Sequence, residues 1–166
     1  MKRLPIITIP NPILKQKTKT IARFDDPKFQ CFIDEMIDTM YESNGWGLAA
    51  PQVSQPIKLI TIVPEPEKFE QYKNESREGL VLINPVIKKH SWLTKKEEEG
   101  CLSIPNIFGQ VKRWRSITVH YKDRKGKNQE IKASKLLARV LQHEIDHLDG
   151  VLFIDRAEKL YRYTQM

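Results

Sequence analysis

Gln142-His143-Glu144-Ile145-Asp146-His147-Leu148-Asp149-Gly150 reads His-Glu-x-x-His inside a stretch of helical periodicity. At about 100° per residue, Leu136, Leu137, Val140, Leu141, Ile145 and Leu148 fall on one half of a wheel. Lys135, Ala138, Arg139, Gln142, Asp146 and Asp149 fall on the other half, which is therefore expected to face water. His143 and His147 lie one above the other at the edge of the apolar half, so their imidazoles can reach one metal ion. Glu144 projects from within the apolar half, where an ionised carboxylate needs a strong partner, such as a metal ion or its bound water. Ser134 is placed to cap this helix and Gly150 to end it. The pattern points to metal-assisted hydrolysis. The competing reading makes these ordinary helix residues, with the histidines hydrogen-bonded at the edge of a core.

The chain has 166 residues, which fits one domain spanning 1–166. Its 40% apolar and 30% charged residues are a globular composition, and no run approaches the roughly 18 apolar residues of a membrane span. A soluble protein is expected. The first ten residues are basic at their start, but Pro5 and Pro10 interrupt them before a continuous apolar region forms, so no targeting segment is read. Cys31 and Cys101 are read as free thiol or thiolate. A net charge of +7 favours acidic neighbours such as ribosomal RNA, although the cations are scattered and a solvated basic surface explains them more simply.

Pro5, Pro10 and Pro12 make the first 26 residues an extended arm. Asp26-Pro27 opens a helix to about Ser43, with Phe29, Phe32, Met36, Ile37 and Met40 at core spacing and Cys31 as a packing residue. Short β-branched runs follow at Ile57–Val63, Leu80–Ile87 and Ile117–Tyr121, the last forming a hairpin with Ile131 across Lys125-Gly126-Lys127. Glu65 to Glu78 reads as a surface loop. The expected class is α+β, with small mixed or antiparallel sheets around a central metal-binding helix and an N-terminal helix.

Catalytic sites usually take three protein ligands, so a third must join the two histidines. In Glu99-Gly100-Cys101-Leu102-Ser103 a cysteine stands where an edge strand could end near the helix. Thiolate and imidazole together suit Fe(II), Zn(II), Ni(II) or Co(II). Taken alone, Cys101 favours a packed thiol, and Lys95-Lys96-Glu97-Glu98-Glu99 a solvated face. Gly45-Trp46-Gly47-Leu48-Ala49-Ala50-Pro51-Gln52 leaves room for a peptide backbone and brings an amide donor, although alone it reads as a tight loop.

These three segments, in this order, resemble the signatures of the peptide deformylase family, which removes the formyl group from the N-terminal methionine of new proteins. The resemblance implies that Cys101, His143 and His147 bind the metal, usually Fe(II) in the cell, with water in the fourth position. It implies that Glu144 moves the proton while the Gln52 side chain and the Leu102 backbone N–H stabilise the oxyanion. The Gly45-Trp46-Gly47 loop and the strand through Glu99 and Gly100 resemble two walls for an extended peptide, with Leu136 and Val140 lining a methionine pocket.

Trp46 stands where the family commonly has a smaller aliphatic residue, and Phe108 where many bacterial members carry an arginine, so a polar contribution to substrate binding is either missing or supplied by Lys112 or Arg113. The sequence ends at Met166, soon after Ile154, where many members continue into a basic helix that docks on the ribosome, so docking by that helix is left open. The implied partners are nascent formyl-Met chains and a transient ribosome contact, with no DNA or membrane. A monomer in the bacterial cytoplasm is expected.

Two rivals remain. A zinc metallopeptidase of the His-Glu-x-x-His class lacks its further ligand, since one group's third histidine would fall at Phe153 and Tyr161 to Met166 holds no glutamate. A basic RNA- or ribosome-binding module with structural zinc needs a fourth ligand, and only Cys31, His90 and His120 are left; both histidines read as solvated.

Overall fold

The computed structural model describes residues 3–163. The N-terminal arm lies on the rest of the molecule, as its prolines predict. Leu14 is fully buried, and backbone bonds run from Ile7 N to Gln52 O, Ile9 N to Ser103 O and Thr18 N to Leu148 O. Helix α1 spans Pro27–Glu42; the Asp26 carboxylate accepts from Lys28 N at its start, and Ile33, Met36, Met40 and Tyr41 are buried. Cys31 is exposed on this helix, contrary to the packing role expected for it, because the buried stripe passes through residues 33, 36 and 40.

Strands β1 (Gly47–Ala49) and β2 (Leu59–Ile62) follow, then helix α2 (Phe69–Glu75). This helix lies within the stretch read as a loop. It is anchored by Phe69, which is buried and stacks on Tyr41 at 5.7 Å between ring centroids, and by Tyr72, which packs half-buried against the same cluster. Strands β3 (Leu80–His90), β4 (Thr94–Cys101), β5 (Ile104–Trp114), β6 (Ser116–Lys122) and β7 (Asn128–Ser134) precede helix α3 (Lys135–Leu148). A short helix α4 (Phe153–Arg156) and strand β8 (Lys159–Arg162) complete the order.

The strands form two sheets, a five-stranded one in the order β1-β2-β3-β6-β7 and a three-stranded one in the order β4-β5-β8. Every pair of named strands is antiparallel. The β6–β7 hairpin turns at Gly126, whose φ of +80° favours glycine and where a Cβ would lie 2.8 Å from the Phe24 ring. Strand β8 pairs with Ile107–Gln110 of β5 in the region where the family's longer helix was considered; residues 164–166 lie outside those described.

Helix α3 is central, with Leu141, Ile145 and Leu148 packed against Ile60, Ile62, Leu82 and Val119 of the five-stranded sheet. Its other half is not solvated as the wheel suggested: Ala138, Arg139, Gln142 and Asp146 are also buried. Arg139 and Asp146 carry charged side chains, so their burial requires partners, supplied by the three-stranded sheet and by Arg156 of α4. Ser134 has the extended backbone of an N-cap but makes no side-chain capping bond. Gly150 ends the helix at φ +71°, and a Cβ there would lie 2.4 Å from Lys15 O. No helix among the described residues is long and apolar enough to cross a membrane.

Candidate metal centre

Strand β4 ends at Cys101 beside α3, and one ligand atom each from Cys101, His143 and His147 lies within 4.8 Å of the other two. Cys101 Sγ is 3.3 Å from His147 Nε2. His143 turns Nδ1 to Glu99 Oε2 at 2.9 Å, which leaves its Nε2 free for the cluster. Two anionic or neutral nitrogen and sulfur donor types in one small group fit a borderline divalent cation. Among the described residues the group has three members; Cys31, His90 and His120 stand elsewhere and are exposed. A structural zinc site would need a fourth protein ligand.

Glu144 is buried beside the cluster, and its Oε2 has no hydrogen-bond partner, nor does His147 Nδ1. Burial pushes the Glu144 carboxyl up to about 7, with the His143 charge opposing. A cation beside it would lower that value and favour the ionised form. Burial and the neighbouring His143 hold His147 well below its ordinary range, which keeps it neutral, the form that ligates metals. The β1 backbone presses on Glu144: a Cβ at Gly47 would come within 2.6 Å of Oε1.

Gln52 is buried, and its carboxamide is oriented. Oε1 accepts from Ala49 N at 2.9 Å, so Nε2 donates toward Ser103 Oγ at 3.2 Å and Cys101 Sγ at 3.5 Å. Ser103, not singled out from the sequence, therefore completes this corner. An open cleft of about 1320 Å³ reaches the cluster, and Gly45, Trp46, Gly47, Gln52, Gly100, Leu102, Leu136, Val140 and Glu144 all line it. Glu99 and Phe108 line it too. Phe108 covers Gly100, where a Cβ would lie 2.8 Å from the ring, and meets Tyr163 edge-on at 5.1 Å.

The carboxylate of Glu99 is not available to a ligand. Arg113 donates to both its oxygens at 2.9 Å, and Arg139 Nη1 donates to Oε1 at 2.7 Å, besides His143. Burial alone would raise its pKa, but the bonds from His143 and Arg113 outweigh burial and hold it well below the carboxylate range. Arg113 also reaches Asp146 Oδ2 at 2.5 Å, and Arg156 donates to the same carboxylate at 2.6 Å. Arg113 is thus committed to Glu99 and Asp146 and is not free for the substrate contact considered for it. The network was not read from the sequence. Its one local signal is the alternation of β5, which puts Arg113 on the same inward face as Val111.

The polypeptide deformylase family model matches residues 3–163. The chain belongs to the polypeptide deformylase family. It is 51% identical to the peptide deformylase of a Picosynechococcus species over 146 residues, covering 88% of this chain and 74% of the relative. A crystal structure of a peptide deformylase from Synechococcus elongatus in complex with actinonin superposes with a TM-score of 0.82 at 40% identity, over 94% of this chain and 79% of that one. The Thermotoga maritima peptide deformylase gives 0.84 at 34% identity, over 96% of this chain and all (100%) of that one. The α+β fold with α3 at its centre is that of the family, and neither rival class is favoured by these relatives.

Proposed function

We propose that the cleft hydrolyses the formyl group from the N-terminal formyl-methionine of newly made polypeptides, releasing formate. The observation that carries this reading is the Cys101-His143-His147 donor group beside the buried, unpartnered Glu144 in a chain of this family. Cys101 Sγ and the two Nε2 atoms would hold one divalent cation, with Fe(II) in the cell and Zn(II), Ni(II) or Co(II) as substitutes. Such an ion, when bound, polarises the formyl carbonyl and makes water a better nucleophile near neutral pH.

Glu144 takes a proton from the attacking water and delivers one to the departing amine nitrogen. Gln52 Nε2, fixed by the bond that its own oxygen accepts from Ala49, donates to the developing oxyanion together with the Leu102 N–H. Glu99 orients His143, and Arg113 and Arg139 keep Glu99 ionised. Gly45, Trp46 and Gly47 on one side, with Glu99 and Gly100 of β4 through their main chain, hold the peptide as an added strand. Leu136 and Val140 take the methionine side chain. Residues 1–166 act as one catalytic domain, a monomer in the bacterial cytoplasm with transient ribosome contact.

The test is formate release from formyl-Met-Ala-Ser by protein loaded with Fe(II) or Ni(II). Release that a chelator stops, with no cleavage of internal peptide bonds, is expected. Internal cleavage without formate would replace this reading by that of a metallopeptidase.

A further inference from the structure

One end of the molecule gathers cations without acids. The segments 86–95, 111–118 and 132–135 contain no aspartate or glutamate. Backbone bonds join them, from Ser91 N to Ser116 O, Arg115 N to Leu93 O and Lys135 N to Arg115 O, and Lys89, Thr118 and Lys132 share one row of the sheet. Lys88, Lys89, Arg115, Lys132 and Lys135 are exposed there and form no ion pair among the described residues. Other exposed lysines, such as Lys15 and Lys96, have found carboxylates. Seven cations in excess over the whole chain are thus partly banked at this end.

Between Lys89 and Lys132 runs an open groove of about 450 Å³, lined by Ser116, Thr118 and Ser134, and by Ser91, whose hydroxyl is already bonded to Leu93 O and Ser116 N. At its side the His90 ring stacks on Trp114 at 3.8 Å. At the β3–β4 turn Trp92 is 92% exposed, with its indole in water. Trp92 follows Lys88 and Lys89 closely in sequence and stands beside Leu93, itself 56% exposed, so this tip offers a flat apolar face next to charge.

We propose that this end binds a single strand of RNA, with phosphates in the groove between Lys89 and Lys132 and a base stacked on Trp92. Phosphates supply the missing anions, and every base has a face for the indole. The groove's hydroxyls suit ribose 2′-hydroxyls. A single RNA strand offers phosphates and flat bases in regular alternation, the pairing that a cation-lined groove beside an exposed indole fits, and vesicles and polyglutamate are the controls that the test includes. This site adjoins the cleft and shares Ser91, Ser116 and Ser134 with its lining, whereas Lys89, Trp92 and Lys132 do not line the cleft.

The experiment measures anisotropy of a labelled, unstructured RNA of about twelve nucleotides with the intact protein across a salt series. Lys89→Glu with Lys132→Glu is expected to weaken binding about tenfold or more and to flatten the salt slope by about one unit. Trp92→Ser is expected to weaken it roughly fivefold or more. Lys17→Glu with Lys28→Glu, an equal charge change elsewhere on the surface, should leave most of the affinity. All variants should keep formate release from formyl-Met-Ala-Ser and the wild-type melting temperature. Equal losses in the two double variants would overturn the proposal, as would tighter binding of the same residues to DNA, anionic phospholipid vesicles or polyglutamate.

Discussion

The two long faces of α3 are buried to the same degree by opposite means. Toward the five-stranded sheet, Leu141, Ile145 and Leu148 meet aliphatic side chains, and the contact is non-directional. Toward the three-stranded sheet, Arg139, Gln142 and Asp146 meet Glu97, Glu99, Arg113 and the main chain of Trp114 through directed bonds. The first face sets how tightly the helix is held, and the second sets where it is held. His143 and His147 lie where the faces meet, so the reacting geometry borrows position from the polar side. Buried ion pairs contribute little net stability over apolar packing, yet losing one partner is costly because a bare charge stays behind.

The largest effect should come from Arg113→Met, which strips Glu99 and Asp146 of a shared cation. A loss of about 3–5 kcal/mol is expected by chemical denaturation, with formate release falling further than the folded fraction accounts for. Leu141→Ala should cost roughly 3 kcal/mol, yet leave the specific activity of the remaining folded protein near that of the wild type. If the two substitutions depress specific activity alike, the division of labour between the faces is wrong. Gln142→Leu removes the bonds to Trp114 N at 3.1 Å and Trp114 O at 2.9 Å and should cost about 1–2 kcal/mol. At the other extreme, His120 and Glu130 pair at 2.8 Å on the exposed side of the sheet, and Glu130→Gln should leave the unfolding midpoint unchanged within error.

The apolar face was legible in the sequence because periodicity reports it directly. The paired histidines were legible because the four-residue spacing stacks them on one turn. Cys101 became a ligand candidate only through its companion segments, since no local pattern separates a ligating thiol from a packed one. The polar face was not legible. Arg113, Glu99 and Asp146 come from β5, β4 and α3, each looks like an ordinary surface charge in its own window, and only the tertiary pairing buries them. Helix α2 was missed for a similar reason: only Phe69, docking on Tyr41, and Tyr72 one turn on tie an otherwise polar stretch to the core, too short a pattern to read as amphipathic. Strand β8 has exposed and half-exposed positions along its length and owes its place to pairing with β5, which no short-range signal announces.

The central claim is that one sulfur and two imidazole nitrogens share a single ion with room left for solvent. X-ray absorption on zinc-loaded protein reads that set directly. The expected spectrum has one sulfur at about 2.3 Å and two nitrogens at about 2.0–2.1 Å with one light solvent atom, and Cys101→Ser removes the sulfur shell. A spectrum lacking sulfur in the wild type, or one closed by a fourth protein ligand, would contradict the account.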